Sequence, residues 1–221
     1  MPPKPKTELE RQQLRTLIMD AARELFVSRG VEAVTMREIA KRIGYSATSI
    51  YLHFADKEAL IRAVCDTDFL ALADVLKNNL VGNDPVERML AIGNGYAQFA
   101  LHYPNHYRMM FMTEHPPYDP ATSCIQQNNA EQDAYFQLKT VVNDVFLAGK
   151  FKPDLNDADL IAQTIWAGMH GVCALQISMA NDIWVNWASI EQRLQMMQLT
   201  LIRGLLHEPT NLINIKNESL Q

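Results

Sequence analysis

Apolar side chains recur every three or four residues along almost the whole chain, punctuated by glycine and proline, and this rhythm confines it to helices. Leu14, Leu17, Ile18, Ala21, Ala22, Leu25 and Phe26 fall at i, i+3, i+4 and i+7, the stripe of a single helix face. Arg29-Gly30 stops that helix, with glycine placed as the left-handed residue past its end. Thr35-Met36-Arg37-Glu38 opens the next as a capping box, Met36, Ile39, Ala40 and Ile43 form its apolar side, and Gly44 ends it. Ser46 can cap a short third helix over 47–54, and Asp56 a fourth over 57–80. After the break at Gly82, Asp84 and Pro85 supply an N-cap and a first-turn proline. Further helices are expected over 86–102, 105–112, 121–148, 157–179 and 188–207, and the polar tail after Pro209 is expected to fray. Strand signals are nearly absent, so the expected fold class is all-α.

Composition narrows the function. The 221 residues are 48% hydrophobic and 20% charged, enough apolar material for a core and too little charge for bulk disorder. A net charge of −5 alone argues against a nucleic-acid partner. Its distribution reverses that. Residues 1–64 carry eleven Lys/Arg against eight Asp/Glu, a charge of +3, and the remainder carries −8. A mildly basic segment on an acidic body fits a DNA reader joined to a separate regulatory domain. No run of about 18 uncharged apolar residues occurs, and Met1 to Glu10 has no apolar signal core, so neither a membrane span nor secretion is expected. Cys65, Cys124 and Cys173 are far apart with no C-x-x-C spacing, which fits a reducing cytoplasm rather than a disulfide framework or zinc site. Among six histidines only His102 and His106 are four apart, and Pro104 lies between them. No metal and no cofactor is expected.

The stretch 35–54 carries the functional signal. Two short helices joined by Ile43-Gly44-Tyr45-Ser46 have helix-turn-helix spacing. Ile50 and Phe54 are expected to face inward, leaving Thr48, Ser49, Tyr51 and His53 outward with Ala47 and Tyr45 at the start of the helix. Small residues and hydroxyls allow close approach to base edges, and a phenol and an imidazole suit phosphate oxygens. Arg37 and Ser46 complete this candidate set. Lys57, in the first turn of the next helix, would converge with that turn's amides on a phosphate.

The runs Thr35-Met36-Arg37-Glu38-Ile39-Ala40, Gly44-Tyr45-Ser46 and Ile50-Tyr51-Leu52-His53-Phe54-Ala55-Asp56-Lys57-Glu58-Ala59-Leu60 resemble the TetR family of bacterial transcriptional regulators. Ala21-Ala22-Arg23-Glu24-Leu25-Phe26 with Arg29-Gly30 is similar to that family's first helix, so the resemblance spans about residues 12–72. It implies a three-helix DNA-binding domain over 12–72 and a larger helical domain over 73–221 for effector binding and dimerisation. It also implies base or near-base contact from Tyr45, Ala47 and Thr48, and phosphate contact from Thr35, Tyr51, His53 and Lys57. The family more often has Val where this chain has Tyr45.

Ile165-Trp166-Ala167-Gly168-Met169-His170-Gly171 and His102 to Phe111 resemble one C-terminal subclass with a Trp…His-Gly signature, which implies no ligand. Many of the eleven methionines fall in the second domain, where adaptable thioethers suit either a core or a pocket for varied ligands. Tyr96, Phe99, Met109, Tyr135, Trp166, His170 and Cys173 are the candidate pocket lining. Ile190, Leu194, Met197, Leu201 and Leu205 form a stripe that Met196, Leu199 and Ile202 widen, a helix buried on more than one side. With the 157–179 helix it is expected to build an intersubunit four-helix bundle. The expected protein is therefore a homodimeric repressor that binds a palindromic operator and is released by a small apolar or amphipathic effector. A dimeric architectural DNA binder is the alternative. No nucleophile set, acid pair or phosphate loop supports an enzyme.

Overall fold

The computed structural model describes residues 7–207, and the tail beyond Pro209 lies outside the described residues. Nine helices account for most of them: α1 (Glu8–Arg29), α2 (Met36–Arg42), α3 (Ala47–Tyr51), α4 (Lys57–Asn79), α5 (Pro85–His102), α6 (Pro104–Phe111), α7 (Ala134–Leu147), α8 (Ala158–Met179) and α9 (Ile190–Leu205). The chain divides into two compact units, and the division runs through α4 between Leu70 and Ala71. The first unit combines residues up to Leu70 with 105–126, and the second holds 71–104 and 127 onward. The cut near residue 72 read from sequence differs from this division, in which α6 and the loop after it are grouped with the N-terminal helices.

The first unit is built around Ile18, Ala22 and Phe26 of α1, Met36, Ile39 and Ala40 of α2, Ile50 of α3, and Leu60, Ile61 and Val64 of α4. Met109 of α6 is packed into the same core at 0% exposure. Beside it lies a buried ion pair. The Arg23 guanidinium donates from Nε and Nη2 to the Asp68 carboxylate at 2.9 and 2.6 Å, and from Nη1 to Asp20 at 2.7 Å. Burial pushes the Asp68 carboxyl up to about 6 against the pull of Arg23. Burial, with the nearby guanidinium, holds His106 down to about 4. The His106 imidazole, 3.9 Å from Asp68, is therefore neutral at pH 7, and the pair's attraction comes from Arg23.

In the second unit α8 packs against α5, α7 and α9. Gly168 lets α8 and α9 meet closely, because a Cβ there would stand 3.0 Å from Leu201 Cδ1 and 3.1 Å from Met197 Sδ. Among the described helices α8 alone is long and apolar enough to cross a membrane by length and composition, although here it is a packed helix.

Most expected boundaries agree within a few residues, including the Asp84 cap, whose carboxylate accepts from the Val86 and Glu87 amides at 2.8 and 3.0 Å. Two differ. The first helix starts six residues before the apolar stripe, since Thr7 and Glu10 form a capping box. The helix expected over 121–148 is only α7, from Ala134. Short polar side chains divert the preceding backbone: Asp119 accepts from the Ala121 amide, Asp66 from Ser123 Oγ and the Cys124 amide, and Asn128 adopts φ 61°.

Arg23→Ala would leave the Asp68 carboxylate buried without its guanidinium. The first unit should lose about 3–5 kcal/mol in urea unfolding, and Arg23→Met with Asp68→Leu should recover most of it.

Candidate nucleic-acid interface

Helices α2 and α3 are set by caps and by one turn. Thr35 caps α2, and its hydroxyl accepts from the Glu38 amide at 3.3 Å. The α2 C-terminus closes as a Schellman turn: the Tyr45 amide reaches Ala40 O at 2.9 Å and the Gly44 amide reaches Lys41 O at 3.3 Å. Gly44 sits at φ 72°, where an L side chain would be strained. Ser46 then caps α3, accepting from the Ser49 amide at 3.2 Å and sharing a 2.9 Å hydrogen bond with its hydroxyl.

Packing decides which side of α3 faces solvent. Ile50 and Phe54 are buried against the α1–α2 core, at 0% and 3% exposure. Thr48, Tyr51 and Leu52 point out, as do Thr35, Arg37, Tyr45 and Ser46. Ala47, Ser49 and His53 are half-buried, so the structure gathers nine of the ten candidates on one motif with unequal access. Leu52, 83% exposed and one turn from Thr48, was not singled out from the sequence, where an apolar residue beside two buried ones passes for core.

Two placements depart from expectation. Lys57 Nζ donates to Val31 O at 3.1 Å and Val34 O at 3.3 Å, so two of its three hydrogens hold the α1–α2 turn rather than a ligand. Arg15, which the sequence reading passed over, donates from Nη1 to His53 O at 3.1 Å and lays its guanidinium over the Phe54 ring at 4.3 Å. It ties the end of α3 to α1. A cation eight residues before a buried Arg on one helix carries no signal of that partner.

The second candidate set is brought together only in part. The Trp166 indole donates to the Tyr96 hydroxyl at 3.1 Å, and the same hydroxyl lies 3.1 Å from His170 Nδ1. Tyr135 approaches Trp166 with ring centroids 5.9 Å apart. Burial lowers the His170 pKa, which favours the neutral imidazole. Phe99 and Cys173 are wholly buried, and burial pushes the Cys173 thiol up to about 12. Met109 does not join them, being part of the first unit's core. Leu201, on the apolar stripe of the last helix, is half-buried and lies against Gly168 of α8 in its own unit. Among the described residues no group of three or more His, Cys, Asp or Glu is arranged to hold a metal ion.

Comparison with known proteins agrees with this geometry. Residues 18–64 match the family model described as bacterial regulatory proteins, tetR family, and residues 89–183 match that of a tetracyclin repressor-like C-terminal domain. Together these segments cover more than half of the chain. The chain is 29% identical over 160 residues to the HTH-type transcriptional repressor KstR2 of Mycobacterium tuberculosis, covering 67% of this chain and 74% of that protein. It is 42% identical over 57 residues to the HTH-type transcriptional regulator UidR of Escherichia coli, 26% of this chain and 29% of that one. A TetR family transcription regulator from Marinobacter aquaeolei superposes with a TM-score of 0.71 at 16% identity, covering 90% of this chain and 99% of that chain.

The α2 cap gives a pH signature. The Thr35 amide and hydroxyl and the Arg29 guanidinium all donate to Glu38, whose carboxyl they lower from 4.5 to about 2. A depressed carboxyl stabilises the fold above its unfolded pKa and loses that effect as pH falls through the folded one. Urea midpoints of the parent should therefore fall between pH 4.5 and about 2, and the gap to Glu38→Gln should close over that window.

Proposed function

The chain belongs to the tetR family of bacterial regulatory proteins, and from that premise we propose that it is a dimeric repressor released from a palindromic operator by a small apolar or amphipathic effector. It is a helix-turn-helix transcriptional regulator of a family that is not enzymatic. The observation that carries the DNA reading is α3 itself, anchored by Ile50 and Phe54 and offering Thr48 and Tyr51 to solvent. On this reading α3 enters the major groove, Thr48 meets base edges, and Tyr51, Arg37 and Thr35 contact phosphates. Lys57 has one ammonium hydrogen beyond its two carbonyl bonds to offer a phosphate.

A module this small needs a second copy, with half-site centres one helical turn, about 34 Å, apart. Only 33% of the apolar window of α8 is buried within one copy, and Leu160, Leu175 and Met196 are 60%, 43% and 67% exposed. An α8–α9 bundle between two copies would cover them. Because Leu201 is already half-buried against Gly168 of its own chain, Met196→Arg is a cleaner test of that interface. Repression is supported by the likeness to a relative named as a repressor, and the site of action would be the cytoplasm.

The effector reading rests on the cluster in which the buried Tyr96 hydroxyl meets the half-buried Trp166 indole and His170 imidazole beside a further aromatic ring. A ligand releases DNA by binding better to a conformation whose reading heads no longer match the operator. Helix α4 is the natural lever, being one continuous helix from Lys57 beside the reading motif to Asn79 in the second unit.

On an operator found by genomic footprinting, fluorescence anisotropy should separate these roles. Thr48→Ala should relax base preference at one position per half-site, and Tyr51→Phe should weaken binding evenly across sequences. Arg37→Ala should cut the slope of log K against log salt by about one. Parent-like behaviour in all three would sink the assigned face. Trp166→Ala should keep operator affinity and lose the response to effectors.

A further inference from the structure

The α8–α9 connection projects an apolar tip that its own unit leaves bare. Ile183 is 100% exposed, Trp184 90% and Val185 36%. Two ties at the base hold this tip out. The Trp187 indole donates to Met179 O at 3.1 Å, and Arg193 donates to Ala188 O at 3.1 Å while lying over the Trp187 ring at 4.8 Å. Within the tip the Asp182 carboxylate accepts from the Trp184 amide at 2.8 Å and fixes the turn. An indole and a sec-butyl group held in water by a braced turn are costly surface without a partner.

The same end of the α8–α9 pair carries a groove of ≈ 720 Å³ open to solvent. Its apolar lining includes Val172 and Leu175 of α8, Trp187, and Met196 and Leu199 of α9, with Arg193 and Gln192 at hand. The volume admits several side chains, and the methionines suit an aromatic guest. A protrusion and an apolar recess on one chain are what an isologous two-fold contact can use, since each copy supplies both. A two-fold axis running along the α8–α9 pair places the connection of one copy beside the groove of the other.

We propose that Ile183 and Trp184 are an exchanged arm, each copy seating its tip in the α8–α9 groove of a second copy of this chain. The inference rests on the dimer reading above and specifies how that dimer is locked. The arm adds a buried indole to the helix contact, and tryptophan in a desolvated pocket is the side chain that most often dominates an interface.

Sedimentation velocity on the full chain across a dilution series tests it, alongside acrylamide quenching of Trp184 obtained by difference between the parent and Trp184→Phe. The expected result is a dimeric parent with Trp184 shielded from quencher, becoming accessible on dilution. Ile183→Ser with Trp184→Ser should weaken dimerisation by roughly tenfold or more with unchanged helical circular dichroism. Met196→Arg in the groove should expose Trp184 to quencher in whatever dimer remains. A parent dimer whose Trp184 is as accessible as free indole, with the double serine variant dimerising equally well, overturns the arm while the dimer stands and leaves the groove to another occupant. A parent that stays monomeric at all concentrations overturns the dimer reading and the arm together.

Discussion

Ile50 and Phe54, pressed onto α1 and α2, hold α3 in place, and the candidate interface depends on them. A helix of five residues has no stability of its own, because nucleation costs more than so few hydrogen bonds return. The position of α3 is therefore a property of packing and of the turn before it. Ser46 organises its start, Gly44 sets its angle to α2, and Arg15 fastens its far end to α1. Each outward side chain inherits its direction from these inward contacts. A change at Phe54 would move Thr48 and Tyr51 without touching either.

The Arg23–Asp68 pair has a different character. Its two charges are nearly or wholly removed from solvent, at 5% and 0% side-chain exposure, and a well-packed apolar pair could have filled the volume. What the ions add is geometry. A guanidinium presenting two hydrogen bonds to one carboxylate fixes both the rotation and the register of α1 against α4. Its third bond, to Asp20, extends the pair to a second carboxylate, and the neutral His106 lies alongside without a charge to compete for Asp68.

The helices were legible in the sequence because each carries its own punctuation. The Thr35–Glu38 box, Gly44, Ser46 and Asp84-Pro85 are local signals, and local structure obeyed them. The helix-turn-helix was legible for the same reason, although Ser49 and His53, which spacing turns outward, are half-buried. What failed was decided at a distance. Nothing near Lys57 announces that its ammonium reaches back to Val31 and Val34, or near Met109 that it joins a core formed by residues 14–65. Leu201 lies on a stripe that spacing assigns to burial, but nothing near it announces Gly168 as its neighbour. The stretch 121–133 has helical composition, but Asp66, far back in the chain, captures its backbone.

The membership of Met109 and Tyr107 in different stretches of chain from the rest of their unit has a practical side. The first compact unit is assembled from two segments, 1–70 and 105–126, separated by a helix that belongs to the second. A fragment ending after α4 would leave the hole that Met109 fills and would expose apolar surface of α1 and α4 to water. Grafting this reading head onto a relative's body therefore means transplanting α6 and the loop after it as well. Chimaeras cut at a single junction would inherit a mismatched plug in the core. Recombination between such genes, natural or deliberate, should favour exchanges that keep both segments from the same parent.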